Sequence, residues 1–156
     1  MQQRGSDGND IIAGGNGSDR KIGDVAEDTL TGGDLSDRFV LASNLATEIL
    51  SSIVFDSLQE SSSSPNSISS PPIIAQIRTD IITDFTDGQD LIELTGGKSF
   101  KQLKIVSISS SPNVKPDSTL IMLASTKEPL AILTRVPASK ITAADFISNQ
   151  IEPLLI

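Results

Sequence analysis

The chain of 156 residues contains no cysteine and no histidine. Without cysteine it can form neither a disulfide nor a thiolate metal site. Without histidine it lacks the usual general base, the imidazole of a Ser-His-Asp triad and any His-ligated zinc site. These absences exclude the commonest catalytic and transition-metal centres, and we therefore expect a protein that is not an enzyme.

Aromatic residues are also scarce, since tryptophan and tyrosine are missing and phenylalanine occurs 5 times. The core must then be aliphatic, and its isoleucine and valine, together with many glycine, serine, threonine and aspartate residues, favour strands and turns over helices. No apolar run reaches the roughly 18 residues of a membrane-spanning helix, so we expect no membrane insertion. The net charge of −8 disfavours nucleic acid as a partner and suits the binding of cations.

Glycine and aspartate recur near the N-terminus with a period of nine residues. Four consecutive blocks begin with glycine at residues 5, 14, 23 and 32 and read GSDGNDIIA, GGNGSDRKI, GDVAEDTLT and GGDLSDRFV. Each has aspartate at its sixth place, and three have a large apolar residue at the eighth. The blocks follow the nonapeptide pattern G-G-x-G-x-D-x-U-x. This part of the chain therefore resembles the RTX family, the calcium-binding repeats of secreted bacterial proteins.

The resemblance implies an all-β fold. Two repeats would complete each coil of a short, right-handed parallel β-roll, with the eighth-place side chains pointing inward, and mostly antiparallel β-strands would cap it. A second match supports the family, because TDIITDFTDGQDLIEL at 79–94 resembles a segment that follows the repeats in other RTX proteins. The predicted organisation is a tail at 1–4, the roll at 5–41, a strand or helix with a Ser/Pro-rich flexible loop at 42–78, and the C-terminal β cap at 79–156, for which the resemblance implies a possible secretion signal.

The resemblance also implies calcium between turns that lie one coil apart on the same side of the roll. Repeats 1 and 3 would then stack, as would repeats 2 and 4. One site would take the carboxylates of Asp10 and Asp28, with carbonyls near Gly5, Gly8 and Gly23. The other would take Asp19 and Asp37, with carbonyls near Gly14, Gly15, Gly17, Gly32 and Gly33. Calcium takes about six to eight oxygen ligands and readily accepts backbone carbonyls among them.

Several residues depart from the repeat pattern. Ser6 replaces a second-place glycine in repeat 1, and repeats 3 and 4 carry Asp24, Ala26 and Leu35 at glycine places. These losses predict different turns or weaker sites in repeats 3 and 4. Lys21 stands at an inward eighth place, where an unpaired ammonium is costly. Either its ammonium reaches solvent, or the strand shifts by one residue and buries Ile22.

Two features of the C-terminal half are open to more than one interpretation. Asp84, Asp87, Asp90 and Glu93 are close enough in sequence for a further calcium site, although a solvated turn between two strands is favoured. Thr142 and Asp145 have the spacing of a capping box, which predicts a short helix with Phe146 on its apolar side.

The function that the resemblance implies is a calcium-binding module, exported by type I secretion machinery and folded by extracellular calcium, in the medium or at the cell surface. The repeats start within five residues of Met1. This abrupt start favours, as an alternative, the C-terminal export and stability part of a larger secreted enzyme such as a protease or esterase. An adhesion or surface-layer module is a third possibility.

Overall fold

A computed structural model describes residues 1–41, 79–108 and 117–148, which belong to one compact unit. The predicted strand or helix and the Ser/Pro-rich loop of 42–78 lie outside the described residues. Within the described ranges there is no α-helix, and no helix is long and apolar enough to cross a membrane. The strands are β1 Gln2–Asp7, β2 Ile11–Asn16, β3 Arg20–Val25, β4 Thr29–Asp34, β5 Arg38–Leu41, β6 Asp80–Ile82, β7 Leu91–Leu94, β8 Leu103–Ile108, β9 Ser118–Leu123, β10 Pro129–Leu133 and β11 Phe146–Ser148.

These strands form two sheets. The first has the order β1-β3-β5-β7-β11, and all of its neighbours are parallel. The second has the order β2-β4-β6-β10-β9-β8, in which the first four strands are parallel and the last two pair antiparallel. From β1 to β7 successive strands alternate between the sheets, so two strands complete one coil. The all-β parallel roll with antiparallel strands at one end is therefore confirmed.

The eighth place of the repeats points into the roll. Ile12, Leu30, Ile82 and Leu133 occupy matching positions on adjacent strands of the second sheet, and all four are buried. In the first sheet Lys21 pairs in register with Phe39, which pairs with Ile92, and all three are fully buried. Burying an aliphatic or phenylalanine side chain contributes about 1.5–3 kcal/mol, so these two rows hold the sheets together.

The core does not stop at the end of the roll. Ile121 and Leu123 from β9 and Leu130 from β10 belong to the same buried cluster as Leu30 and Phe39. Solenoid coils are stabilised by their neighbours, and a few coils alone bury little apolar surface. The antiparallel strands thus complete the core that the short roll leaves open.

Three segments differ from the sequence predictions. The predicted tail at 1–4 is wrong, because β1 pairs with β3 from Gln2 onwards. The sequence places 79–94 with the cap, whereas β6 and β7 continue both sheets of the roll beside β4 and β5. The capping box of Thr142 and Asp145 is present, but it starts only a single 3-10 turn, Ala143–Asp145, and Phe146 begins β11 instead of a helix.

The turns of repeats 3 and 4 keep a glycine-like backbone although their glycines are lost. Asp24, Ala26 and Leu35 have φ angles of 79°, 147° and 74°, in the region that side chains disfavour. At the matching second places of repeats 2 and 4, Gly15 and Gly33 have φ angles of 94° and 105°. The different turns that the sequence predicted for repeats 3 and 4 are therefore not found, because neighbouring coils impose the same backbone path on the substituted residues.

Leu35 provides a test of this strain, because its side chain is 63% exposed and contributes little packing. A left-handed conformation costs an ordinary residue about 1–2 kcal/mol, whereas glycine adopts it freely but loses more backbone entropy on folding. We expect Leu35→Gly to raise the free energy of unfolding by about 0.5–1 kcal/mol in urea denaturation. The matched variant Leu35→Ala keeps the Cβ atom and should give no such gain. Equal stability of the two variants would contradict the strain.

Candidate metal centre

An aspartate lies at or just before the start of each strand from β2 to β7, and these aspartates stack along the two edges of the roll. On the first edge the backbone N–H of Asp10 donates to Asp28 Oδ1 at 2.8 Å, and the N–H of Asp28 donates to Asp80 Oδ1 at 3.3 Å. We call this row the first ladder. The carboxylates of Asp28 and Asp80 are thereby each held by the backbone of the aspartate one coil earlier, while Asp10 accepts from the N–H of Ser6 in its own turn.

The second edge repeats the arrangement. The N–H of Asp19 donates to Asp37 Oδ1 at 2.8 Å, and the N–H of Asp37 donates to Asp90 Oδ1 at 2.9 Å. We call this row the second ladder. The structure thus brings together Asp10 with Asp28 and Asp19 with Asp37. It adds Asp80, which the sequence analysis missed, and Asp90, which the sequence analysis placed in a possible separate site at 84–93. The sequence contains a signal for both aspartates. Each is followed two residues later by an isoleucine that is buried in the structure, just as the sixth-place aspartate of a repeat is followed by the apolar eighth place.

The first glycine of each repeat provides the room for its aspartate. A Cβ atom at Gly5, Gly14, Gly23 or Gly32 would lie closer than 3.0 Å to Oδ2 of the aspartate in the same repeat. At Gly5 and Gly14 it would also come that close to a carbonyl oxygen of the stacked repeat, Gly23 or Gly32 respectively. Carboxylate and carbonyl oxygens therefore converge inside the turns, at a point that only glycine leaves open.

The remaining predicted glycines lie elsewhere in the turns. A Cβ atom at Gly8, Gly15 or Gly17 would meet nothing within 4 Å, so these residues shape the backbone and do not make room for a carboxylate. Gly33 differs from them, because its Cβ would collide with the carbonyl group of Gly15 in the stacked repeat. Gly15 and Gly33 thus mark a close approach between the backbones of repeats 2 and 4.

Three carboxylate oxygens inside the turns are buried without a hydrogen-bond partner. They are Oδ2 of Asp19, Asp28 and Asp37, whose residues are 5%, 0% and 1% exposed. A buried charge without a partner is costly, and burial accordingly raises the pKa of Asp28 and Asp37. Burial also raises the pKa of Asp90, and it raises that of Asp80 to about 7. The oxygens form a buried, electron-rich set that fits a cation.

Lys21 follows neither predicted alternative. It keeps its inward place in register with Phe39, its side chain is fully buried, and Ile22 stays only half-buried. Its Nζ lies 3.5 Å from Asp19 Oδ2 and makes no hydrogen bond. The side chain thus extends along the inside of the roll to a carboxylate of the second ladder, which explains why it need not reach solvent.

Asp19 has a second positive neighbour. The α-amino group of Met1 lies 3.0 Å from Asp19 Oδ1. The hydrogen bond from this amino group, with the charge of Lys21 nearby, holds the pKa of Asp19 below its usual value although burial opposes this. Both positive neighbours therefore favour the ionised form of Asp19.

The acidic residues at 84–93 do not form the further calcium site. Asp84 accepts hydrogen bonds from the N–H groups of Gly32 and Gly33, both at 2.8 Å, while Asp90 belongs to the second ladder. Glu93 forms a bidentate pair with Arg20 at 2.7 and 2.9 Å. Across the described ranges no three acidic side chains converge on one point. Any cation in the turns would therefore be held by two carboxylates at most, with backbone carbonyls supplying the other protein ligands.

The fold has a counterpart among solved structures. The solution structure of the AlgE6R3 subunit from the Azotobacter vinelandii mannuronan C5-epimerase matches it with a TM-score of 0.57 and 19% identity, over 99% of this chain and 76% of that chain. At this identity the likeness shows the fold alone. No protein-family model matches the chain, and a search of curated proteins finds no match.

The contact between Gly23 and Asp28 predicts a coupling that a double-mutant cycle can measure. All three atoms nearest to a Cβ at Gly23 belong to Asp28, so Gly23→Ala should destabilise the protein by roughly 1–3 kcal/mol through overpacking. In an Asp28→Gly background most of this cost should disappear. Urea denaturation of the four proteins checks the coupling, and an equal cost in both backgrounds would contradict it.

The raised pKa of Asp80 predicts that the metal-free protein is more stable in mild acid than at neutral pH. Its folded pKa of about 7 exceeds the ordinary 3.8, so the folded state binds the proton more tightly. The free energy of unfolding then falls by at most about 1.4 kcal/mol per pH unit as the pH rises from about 4 to about 7, and levels off above. Asp28, Asp37 and Asp90 contribute with the same sign.

The measurement is urea unfolding in the presence of a chelator at several pH values across this window. Asp80→Asn should flatten the slope and stabilise the protein above about pH 7, since the amide oxygen can still accept from Asp28. Asp87→Asn, at an exposed turn position, is the control. If the Asp80→Asn slope equals that of the unsubstituted protein, Asp80 does not titrate in this way.

Proposed function

We propose that the protein is a calcium-binding β-roll module and not an enzyme, and that its turns take up calcium between stacked coils. The observation that carries this proposal is the set of buried, unpartnered carboxylate oxygens beside the inward-facing carbonyls of Gly23 and Gly32. All of these ligands are oxygens, and several belong to the backbone, which is the donor set that calcium accepts most readily.

The residues that would hold calcium are those that the RTX resemblance implies. On the first edge these are Asp10 and Asp28, with carbonyls from the turns of repeats 1 and 3. Bound calcium would supply the positive charge that the buried carboxylates lack. The chain's own contribution is to hold the carboxylates in place through the ladder hydrogen bonds and to admit them beside first-place glycines.

Calcium binding of this kind would be coupled to folding. A ligand that binds only the folded state adds its binding free energy to the free energy of unfolding. Extracellular calcium modules have dissociation constants of about 10⁻⁴–10⁻³ M, so cytosolic calcium would leave such sites empty. As the RTX resemblance implies, the protein would be exported by type I secretion machinery in a loosely folded form and would fold outside the cell or at its surface.

Calcium titration of variants tests the proposal. We expect a chelator to reduce the β-sheet circular dichroism and the melting temperature, and calcium chloride to restore both. In calorimetry Asp28→Asn should bind one calcium fewer than the unsubstituted protein, because one ligand charge is lost while the acceptor for the Asp10 N–H remains. Asp87→Asn should bind the same number. Unchanged spectra on chelation together with no calcium heat would refute the proposal.

A further inference from the structure

The two edges of the roll differ in the charge that lies inside them. On the second edge the ammonium of Lys21 reaches the interior of the turns. A Cβ atom at Gly14 would lie closer than 3.0 Å to Lys21 Nζ, to Asp19 Oδ2 and to the carbonyl oxygen of Gly32. A cation of this chain, a carboxylate of repeat 2 and a carbonyl of repeat 4 therefore surround one point.

The first edge has the same oxygens without the cation. A Cβ atom at Gly5 would lie 2.6 Å from both Asp10 Oδ2 and the carbonyl oxygen of Gly23. The residue that corresponds to Lys21 in repeat 1 is Ile12, which carries no charge. Arg4 is turned away from the ladder, since it pairs with the second-place Asp24. Asp28 Oδ2 and Asp37 Oδ2 are both buried without a hydrogen-bond partner, but only on the second edge does an ammonium of the chain lie beside the aspartates.

We infer that Lys21 is a built-in counterion that occupies the cation position of the second edge, so that the Asp10–Asp28 pair takes calcium and the Asp19–Asp37 pair does not. This inference rests on the proposed function, because it assigns calcium to one of two otherwise similar pairs. The ammonium and a metal ion would compete for the same carboxylate and carbonyl oxygens. Lys21 is covalently tethered at that position and fully buried, and the Met1 amino group already neutralises part of the charge of Asp19.

The assignment divides the roll into two functional halves. The second edge has its positive charge at every calcium concentration, so its turns can assemble before any metal arrives. The first edge lacks such a charge, and its carboxylates repel one another until a divalent cation is present. Calcium dependence would thus be confined to one side of the roll.

The test replaces Lys21 by leucine, the residue that fills the inward eighth place of repeat 3. Lys21→Leu should bind one more calcium per chain than the unsubstituted protein in calorimetry with calcium chloride. Adding Asp37→Asn to Lys21→Leu should abolish the gained site, whereas adding Asp87→Asn should leave it. Should Lys21→Leu not fold, Lys21→Met, with an unbranched side chain of similar length, serves in the same comparison.

A measurement without metal separates this role from simple core packing. In a chelator Lys21→Leu should melt at a lower temperature than the unsubstituted protein, because the second ladder has lost its counterion, and calcium should reverse the difference. Replacing a buried ion by a hydrophobic residue otherwise tends to be neutral or stabilising. A variant that is more stable in chelator and gains no calcium overturns the inference.

The outcomes also distinguish the inference from the proposed function. If both proteins bind calcium in equal number, the function stands and the role of Lys21 is refuted. If only Lys21→Leu binds calcium, the role of Lys21 stands and the calcium site at Asp10 and Asp28 is refuted. If neither protein binds calcium, both proposals are overturned.

Discussion

The hydrogen bond from the N–H of one ladder aspartate to the carboxylate of the next is the interaction on which the roll depends. It fixes the register between coils, and with it the alignment of every inward side chain. The other carboxylate oxygen, Oδ2, turns back inside the turn, and in the four repeats a first-place glycine leaves room for it. Sheet register, aspartate spacing and the first-place glycine of the repeats are thus linked through one carboxylate.

The same contact also places negatively charged groups close together. Stacking brings carboxylates into rows inside a protein whose net charge is already −8. Their charge is relieved in several ways within the described residues: by backbone N–H donors, by a raised pKa at Asp80, and by the positive neighbours of Asp19. Asp28 has a backbone N–H donor and a raised pKa, but its Oδ2 has no hydrogen-bond partner. Under the proposed function, metal binding and the assembly of adjacent coils would be parts of one equilibrium.

Much of this arrangement was predictable from local sequence. The nine-residue period, together with the two-repeat coil that the RTX resemblance implies, predicts the two aspartate pairs, because equivalent turns of successive coils must stack. Asp80 and Asp90 escape the pattern because the repeat around them is degraded. Asp90 keeps Gly88 at the fourth place but has Phe85 at the first, and the spacing of the two aspartates to Ile82 and Ile92 is what they share with the repeats. Strand β1 was missed for a related reason, because its first three residues, Gln2, Gln3 and Arg4, include neither glycine nor aspartate.

The position of Lys21 could not be derived in this way. It depends on where the carboxylate of a neighbouring turn lies in space, which no repeat consensus contains. The backbone of Ala26 and Leu35 is a similar case, because the adjacent coils override the local preference of each residue. The repeat pattern therefore predicts the strands and turns of the roll. Contacts between coils determine the residues that depart from it.

The ladders also connect coils that are separated by very different lengths of chain. Hydrogen-bonded aspartates of consecutive coils are 18 residues apart within the repeats, yet Asp28 and Asp80 are separated by 52 residues and still make the same bond. Stacking of a coil thus depends on its aspartate hydrogen bond and not on a fixed separation in sequence. Lengthening a connection costs little, about 0.6 kcal/mol for each doubling. The ladder bonds of Asp80 and Asp90 therefore keep the order of the coils across the long connection between β5 and β6.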